Sequence, residues 1–394
     1  MPDYSTLPAT ASGKIERFSI HIPEQELQDF QTLLRLSPIV QDTYENQDHA
    51  RGGRPRAKKT WETFDWRAVE SHINTFPHFK AHITDDDGTP YTIHFAALFS
   101  HRADAIPLIR LSGWPASLES LPLLTLLAEK YTPETLPYHV ILPAQPGWPF
   151  SSAPPLGRDW GYADSARVLQ KLLVEELGLK RYAICGGDIG AGIARIMASS
   201  YAEAAALHTN YAQMPRPDSV KDDEVDAFEK EGVERGERFM SSGTAYGMVQ
   251  GTRPGTLAAV LAASPLALLT WIGEKYLAWA DPRTPIPLEH ILTTACLYWF
   301  SGASATTLYP YREDYVTKKG KKGYLHGQEE LYVDKPVGYS YFPKELVPVP
   351  RKWVETTGRV VWCRGHGVGG HFPGLEVPGA LLGDLEEFLG EVWG

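Results

Sequence analysis

The sequence places a carboxylate between glycines where a strand is expected to turn into a helix. The stretch "GGDIG", residues 186–190, follows the apolar run "YAIC" and precedes a helical pattern. A carboxylate that attacks an sp3 carbon leaves an ester, which water can hydrolyse, and its ordinary pKa of about 3.9 keeps it ionised at neutral pH. Asp188 therefore has the chemistry of a nucleophile for alkyl electrophiles, mainly epoxides or haloalkanes.

A structural role for Asp188 is also open, because aspartate is a good N-cap for the helix that follows. The glycines favour the nucleophile, since Gly186 and Gly190 lie where a Cβ would collide with a tightly turned backbone. The same frame with serine, G-x-S-x-G, is the nucleophile elbow of the α/β-hydrolases. We interpret residues 186–190 as such an elbow with aspartate at its tip.

Hydrolysis of the ester needs a base, and in α/β-hydrolases this histidine follows the last strand of the core. The glycine-rich stretch "RGHGVGGHFPG", residues 364–374, follows an apolar run and offers His366 and His371. The stretch also contains G-x-G-x-x-G, but the 24 residues after Gly370 are too few for a dinucleotide-binding βαβ unit. One of the two histidines is therefore the predicted base.

The chain resembles the microsomal-type epoxide hydrolases, including their soluble fungal relatives, along nearly its whole length. The segments that carry the resemblance are "GGDIG", "GGHF" followed by "LEVP", "YFPKELVPVPRKWV", "FSIHIP" and "FDWRAVESHINTFPHFK". The resemblance implies that Asp188 is the nucleophile, that His371 rather than His366 is the base, and that Glu345 is the acid of the triad. It also implies an α/β-hydrolase fold that needs no metal and no cofactor.

The same family uses two tyrosines of a helical cap, which hydrogen-bond the epoxide oxygen and protonate it as the ring opens. The segments "SSGTAYGMVQGTRP" and "TTLYPYREDY" resemble the family's and place these tyrosines at Tyr246 and Tyr311. Tyr309 and Tyr315 are near competitors for the second role. For any one tyrosine, ordinary amphipathic packing is the alternative.

The resemblance further implies an oxyanion hole made by the backbone N–H groups of Ile189 and Trp114. The second rests on "SGWPAS", residues 112–117, which resembles the family's H-G-x-P loop. Ser112 replaces the usual histidine, and Ala116 stands where glycine is common. The Trp114 N–H survives either change, so the chemistry is retained in kind, whereas the loop geometry and the rate stay open.

The elements that must position these residues fall into four predicted parts. Residues 1–88 form a wrapping N-terminal segment, with a strand at "FSIHI" and a helix at "EQELQDFQTLLRL". In residues 89–213, strand patterns alternate with helical ones, which predicts βαβ units and a mostly parallel sheet. Residues 214–335 form a helical cap, and residues 336–394 complete the core. The predicted fold is an α/β-hydrolase core carrying a cap.

The composition of the 394 residues argues against several classes of function. A formal net charge of -10 disfavours nucleic-acid binding. The basic runs at residues 51–59 and 318–322 contain glycine or proline and are interpreted as solvated loops. The three cysteines, Cys185, Cys296 and Cys363, form neither a disulfide framework nor a zinc pattern.

One apolar stretch, residues 254–272, is uncharged and nearly long enough to cross a bilayer. It is interrupted at Ser264 and Pro265, which predicts two short buried helices that meet at the proline. The N-terminus also lacks the apolar region of a signal peptide. From these features we expect a soluble, cytoplasmic protein.

Three functions remain open at this point, and the resemblance favours an epoxide hydrolase that produces a vicinal diol. A haloalkane dehalogenase shares the aspartate but typically has a halide-binding tryptophan directly after it, where this chain has Ile189. A repurposed binding protein or cyclase is motivated by Ser112 and opposed by the intact triad. The aromatic content of 11% favours a small apolar or aromatic epoxide. The resemblance also allows a homodimer, and detoxification and secondary metabolism are equally open roles.

Overall fold

The computed structural model describes residues 2–41, 54–317 and 325–394 of the chain. The described part contains one sheet of nine strands. The strands are β1 (Ile15–Phe18), β2 (His78–Thr84), β3 (Pro90–Leu98), β4 (Ile106–Leu111), β5 (Tyr138–Pro143), β6 (Tyr182–Gly186), β7 (Ala204–Thr209), β8 (Val333–Tyr341) and β9 (Gly358–Gly365).

Helices connect and cover these strands. The α-helices are α1 (Glu24–Leu36), α2 (Arg54–Glu62), α3 (Trp66–Ile73), α4 (Leu121–Lys130), α5 (Tyr162–Lys171), α6 (Ile189–Ser200), α7 (Ala227–Ser242), α8 (Ala245–Thr252), α9 (Pro254–Ala262), α10 (Pro265–Trp279), α11 (Leu288–Ser301), α12 (Tyr309–Arg312), α13 (Arg351–Val354), α14 (Pro373–Glu376) and α15 (Pro378–Val392). Short 3-10 or π turns lie at Leu172–Glu176, Asp222–Glu224, Thr306–Leu308, Glu313–Thr317, Leu325–Gly327, Glu329–Leu331 and Glu355–Thr357.

The strands follow the order β1-β2-β3-β5-β4-β6-β7-β8-β9. Strands β1, β2 and β3 pair antiparallel, and β3 joins β5 antiparallel. From β5 through β4 to β9 every pairing is parallel. The predicted α/β-hydrolase fold with a mostly parallel sheet is confirmed. Because parallel strands end at one edge of the sheet, the loops after β4, β6, β7, β8 and β9 gather there.

The central strands are buried on both faces, which explains their continuous apolar runs. All five residues of β6 are buried, and so are five of the six residues of β5. Helices α5 and α6 pack against each other, and so do α4 and α15. This packing holds in place the strands whose carboxyl ends carry the candidate residues.

The N-terminal segment departs from its predicted pattern. The strand expected at residues 18–22 is wrong, because β1 ends at Phe18 and the next residues are extended but bonded to side chains. The N–H of Ile20 donates to Oδ1 of Asn74 at 2.9 Å, and that of Ile22 to Oε1 of Glu70 at 2.7 Å. The sequence pattern also did not predict β2, whose first residues end the aromatic-rich run and whose apolar residues alternate.

A second departure concerns the basic run at residues 51–59, which was expected to be a loop. Residues 54–59 belong to helix α2, where Pro55 is tolerated because the first N–H groups of a helix have no intrahelical partner. Lys58 attaches helix α2 to the end of α1, since its ammonium donates to the carbonyl of Ser37 at 2.8 Å. Residues 51–53 and the basic run at 318–322 lie outside the described residues.

Between β7 and β8 the described chain is mainly helical, from α7 to α12. The apolar stretch from residue 254 forms two helices, α9 and α10, which meet at Pro265 with a bend of 117°, as predicted. The expected burial is wrong for α9, where only Leu257 and Leu261 of nine residues are buried. Among the described residues no single helix has the length and apolar character to span a bilayer; α9 and α10 would do so only as this bent pair. Phe30 of α1 packs against Phe300 of α11 at 5.2 Å between ring centroids.

Candidate active site

Asp188 lies at the sharp turn between β6 and α6. Its backbone has φ +50° and ψ -129°, a conformation that costs a non-glycine residue about 1–3 kcal/mol. A Cβ on Gly186 would come 2.4 Å from the carbonyl oxygen of Gly190, and one on Gly190 would come 2.5 Å from that of Leu111. Asp188 makes no side-chain capping bond to α6. The turn therefore serves to present the carboxylate rather than to cap the helix.

The carboxylate of Asp188 is held by backbone donors. The N–H of Trp114 donates to Oδ1 at 2.8 Å. Burial raises the pKa of Asp188, while His371 and the backbone N–H groups of Ile189 and Trp114 lower it. These two N–H groups, from the loops after β4 and β6, stabilise the negative charge of the carboxylate. Such a pair has the geometry of an oxyanion hole.

Glu345 and His371 complete a buried chain of polar groups. Nδ1 of His371 hydrogen-bonds Oε1 of Glu345, and Nε2 lies 3.6 Å from Oδ2 of Asp188. Oε1 of Glu345 also accepts from the N–H of Leu346 at 2.6 Å, and its Oε2 from Asn210 at 3.4 Å. Burial alone would lower the pKa of His371, but the Glu345 and Asp188 carboxylates raise it to about 9. The structure thus brings together the three residues that the resemblance implied.

His366 does not reach this site. Its Nε2 pairs with Asp384 of α15 at 2.6 Å, and its ring stacks on Phe342. Of the two histidines that follow β9, only His371 lies beside Asp188.

The helices from α7 to α12, which were predicted from the sequence to be a cap and which are called the cap below, contact the loops that carry Glu345 and His371. Arg235 of α7 donates to the carbonyl oxygens of Glu345 at 2.6 Å and of Lys344 at 3.0 Å. The N–H of His371 donates to the carbonyl of Trp279, at the end of α10, at 3.2 Å. Oδ2 of Asp281 accepts from the N–H of Gly369 at 2.9 Å. The cap thereby fixes the backbone of both loops.

Tyr246 of α8 and Tyr311 of α12 face Asp188 across a cavity of about 320 Å³ that all three line. Their hydroxyl groups lie 3.5 Å apart. Burial raises the pKa of both phenols well above the usual value, so each keeps its proton at neutral pH. Tyr315 also lines the cavity, whereas Tyr309 packs partly buried against the hydrophobic core. The arrangement suits a pair of hydroxyl donors that act on one oxygen.

Two side chains hold the backbone of the loop that carries Ser112 by hydrogen bonds. The side-chain amide of Gln145 donates to the Ser112 carbonyl at 2.6 Å, and Trp148 donates to that of Gly113 at 3.4 Å. A cavity of about 30 Å³ lies beside Ser112 and Ala116. Replacing histidine by Ser112 therefore leaves the Trp114 N–H directed at Asp188.

A buried carboxyl, Glu119, lies near the same loop. Burial raises its pKa, while the Arg110 guanidinium and the Ser112 hydroxyl lower it.

Among the described residues no group of three or more His, Cys, Asp or Glu side chains is arranged to hold a metal ion. The three cysteines are free thiols.

Sequence reasoning missed three residues that line or support the cavity. Asn210 and Tyr211 directly follow β7, and residues at the carboxyl end of a parallel strand commonly contact ligands. That position in "HTNYAQ" was the available signal. The third, His326, lies in the short turn Leu325–Gly327, where no periodic pattern marks it.

Comparison with known proteins gives consistent matches. A family model described as "Epoxide hydrolase N terminus" matches residues 15–120, and one described as "alpha/beta hydrolase fold" matches residues 106–241. A protein of Dothistroma septosporum, provisionally named an epoxide hydrolase, is 40% identical over 100% of this chain and 94% of its own length.

Two solved structures match nearly the full length of the chain. That of Aspergillus niger epoxide hydrolase has 43% sequence identity and a TM-score of 0.91, and the match covers 99% of this chain and 100% of the other. Juvenile hormone epoxide hydrolase from the silkworm Bombyx mori has a TM-score of 0.83 at 22% identity, covering 97% of this chain and 95% of the other. This second likeness concerns the fold alone.

Proposed function

This chain belongs to the epoxide hydrolase family and is itself an epoxide hydrolase, and we propose that it opens the epoxide through a covalent ester on Asp188. The observation that carries the proposal is that Asp188 lines one cavity with Tyr246 and Tyr311, while its Oδ2 lies 3.6 Å from Nε2 of His371 and its Oδ1 accepts from the N–H of Trp114. One carboxylate oxygen is thus free to attack while the other is held.

In the first step Oδ2 of Asp188 attacks a carbon of the epoxide ring, and the bond from that carbon to the ring oxygen breaks. The oxygen takes a proton from Tyr246 or Tyr311, whose raised pKa values keep that proton available until the oxygen becomes basic. The second tyrosine donates a hydrogen bond to the same oxygen. The products are an alkyl ester of Asp188 and one tyrosinate.

Ester formation removes the negative charge of Asp188, one of the charges that raise the pKa of His371. The imidazolium therefore becomes more acidic at the moment when a tyrosinate has formed. Its proton passes to the tyrosinate, which restores the phenol and leaves His371 neutral. The proton balance thus converts His371 into a base only after the ester exists.

In the second step neutral His371 takes a proton from water at Nε2, and the resulting hydroxide adds to the ester carbonyl carbon. Glu345 holds the imidazole in the required tautomer through its bond to Nδ1. The negative charge develops on Oδ1, where the N–H groups of Trp114 and Ile189 stabilise it. Collapse breaks the bond between the carbonyl carbon and the alkyl oxygen, and the departing alkoxide takes the proton of the new carboxyl group. This releases a vicinal diol and returns Asp188 as carboxylate and His371 as imidazolium.

The substrate we propose is a small, largely apolar or aromatic epoxide. The cavity volume of about 320 Å³ is at the lower end of the range for ligand pockets, about 300–1,000 Å³. Tyr162, Tyr211 and Phe239 supply aromatic walls beside the two tyrosines of the cap. Aromatic walls of this kind favour ligands with flat or apolar bodies.

The test is intact mass of a His371→Ala variant exposed to aryl, alkyl and fatty-acid epoxides. Without the base the ester should accumulate, giving a mass gain equal to the whole epoxide, mapped to Asp188. Asp188→Asn in the same background should give no adduct, and His366→Ala alone should still form diol. Diol formation by wild type with no adduct on Asp188 would overturn the ester mechanism. Halide release from haloalkanes without epoxide turnover would instead favour the dehalogenase alternative.

A further inference from the structure

A buried histidine that the proposed chemistry does not use lies on the wall of the same cavity. The imidazole of His326 lines it together with Asp188, Tyr246 and Tyr311. Only 4% of His326 is exposed, so its surroundings determine which ring nitrogen carries a proton. Those surroundings are compatible with only one tautomer of the imidazole.

Nδ1 of His326 is committed as an acceptor. Nε of Arg195 donates to it at 2.9 Å, and a guanidinium has donors only. Burial lowers the pKa of Arg195 to about 10, so the group stays charged at neutral pH. Burial and the charge of Arg195 also hold the pKa of His326 well below its usual value. The ring is therefore neutral, with its one proton on Nε2.

Arg195 is itself immobilised, so the tautomer of His326 is fixed. Its two remaining nitrogens donate to the carbonyl and hydroxyl oxygens of Thr357, each at 2.9 Å. Arg195 is fully buried on α6, seven residues after Asp188, which corresponds to about 10 Å along a helix. His326 is thus held by a residue of α6 and makes no hydrogen bond to Asp188 or His371 in the described part of the chain.

Nε2–H of His326 has no protein acceptor among the residues that the structure describes. The nearest aromatic neighbour, Tyr211, meets it edge to face with ring centroids 6.1 Å apart, and the Tyr211 hydroxyl donates to Gln213. Nε2 is also absent from the fully enclosed side-chain atoms that lack partners in this part of the chain. Since the ring lines the cavity, the Nε2–H bond is available to a molecule inside it.

We propose that His326 is a substrate-binding residue whose Nε2–H donates a hydrogen bond to a substrate oxygen other than the epoxide oxygen. The inference rests on the proposed function, because it concerns the same cavity. It narrows the substrate class to epoxides whose side chain carries an ether, carbonyl or ester oxygen. Cation binding is excluded because Nε2 is a donor, and a fully apolar substrate would leave this donor unpaired.

The specificity that follows can be measured with matched substrates. A binding site that leaves a buried donor unpaired loses about tenfold to hundredfold in kcat/KM toward an analogue that lacks the acceptor. The probes are epoxides with one ether oxygen moved along the side chain, each paired with the analogue that has a methylene in its place. We expect wild type to prefer the ether at one position along the side chain by at least about tenfold.

Two variants assign the preference to His326. His326→Phe keeps an aromatic ring but removes the donor, so the ratio of kcat/KM for the ether to kcat/KM for its methylene analogue should fall to about one. His326→Gln retains a side-chain N–H donor and should keep part of the preference. Turnover of the methylene analogue reports that each variant is folded.

Each result decides the inference. A wild-type enzyme that shows no preference at any ether position overturns it without recourse to a variant. An unchanged preference in His326→Phe would also overturn it, because another group or a bound water would then supply the donor. Absence of diol from every epoxide in wild type would instead contradict the proposed function, which is a separate and recognisable failure.

Discussion

Nε2 of His371 and Oδ2 of Asp188 are 3.6 Å apart, close enough for strong electrostatic coupling but too far for a good hydrogen bond. In the proposed mechanism the attacking oxygen is therefore not bonded to the base. Once an ester forms at Oδ2, the same separation leaves the imidazole within reach, through one water, of the carbonyl carbon. One distance thus suits both steps, attack by a free oxygen and later delivery of water.

The coupling between Glu345 and His371 leads to a pH prediction. Neutral imidazole is the active base, so the rate of ester hydrolysis should rise with pH through the pKa of His371. Glu345→Gln removes a charge that raises this pKa, so the half-maximal pH should move downward. The plateau rate should fall by about 10²–10⁴-fold because the imidazole loses its orienting partner. Rapid-quench mass spectrometry of the ester between pH 5 and 10 measures both effects.

The matched control is Glu119→Gln. The Glu119 carboxyl also raises the pKa of His371, but by less than Glu345 does. Its pH profile should shift in the same direction by less, with little loss of plateau rate. An upward shift in Glu345→Gln would contradict the assignment of Glu345 as the group that raises the pKa of His371.

The two phenols of the cap should act in ester formation and not in hydrolysis. Tyr246→Phe and Tyr311→Phe should each slow adduct formation in the His371→Ala background by about 10–10³-fold, and the double variant should slow it further. Each single variant retains one donor, because the hydroxyl groups are only 3.5 Å apart. Tyr309→Phe, which lies outside the cavity wall, should leave the rate unchanged. A double variant with wild-type adduct kinetics would remove the tyrosines from the mechanism.

The glycines of the elbow should not tolerate substitution, because an added Cβ would collide with the backbone. In Gly190→Ala the new Cβ would meet the Leu111 carbonyl at 2.5 Å, and backbone atoms cannot yield cheaply. We expect a loss of about 3 kcal/mol or more in the free energy of unfolding. Gly383→Ala, in α15 with no atom within 4 Å of its Cβ, should instead gain about 0.5–1 kcal/mol. Urea denaturation of both variants tests this, and equal stability would refute the steric account.

Substitution of Ser112 should lower kcat by less than substitution of Gly113. Ser112→Ala preserves the Trp114 N–H, so kcat should fall by less than about tenfold, whereas loss of an oxyanion donor costs about 10²–10³-fold. In Gly113→Ala the Cβ would lie 2.2 Å from Oδ1 of Asp188, displacing the carboxylate from that donor. Its kcat should fall by at least about 10²-fold. Steady-state kinetics on one epoxide suffices, and equal losses would show that the Ser112 side chain itself is required.

The sequence predicted those parts of the fold where the pattern and the local chemistry agree. The alternation of apolar strands and helices after residue 90 gave the parallel sheet, because strands buried on both faces read as unbroken apolar runs. The expected strand at residues 18–22 failed because its backbone N–H groups bond to Asn74 and Glu70, side chains that are far away in sequence. Such tertiary partners leave no local periodicity.

The same reasoning applies to the site. The elbow was readable because backbone crowding at Gly186 and Gly190 demands glycine at fixed spacing. Motifs did not reveal His326, since its role depends on a contact with Arg195 across 131 residues of sequence. The roles assigned to Asp188, His371 and the tyrosines stay predictions until adducts and variants test them.

The hydrogen bonds between the cap and the catalytic loops constrain how substrate enters. Arg235 holds the carbonyl of Glu345, and the Trp279 carbonyl holds the N–H of His371, so lifting the whole cap would break the bonds that align acid and base. Each turnover would then require the triad to be rebuilt. Entry and product release that instead use the existing opening of the cavity keep the triad assembled between cycles. We therefore expect the cap to stay in place through the catalytic cycle, as a wall of the cavity rather than as a lid.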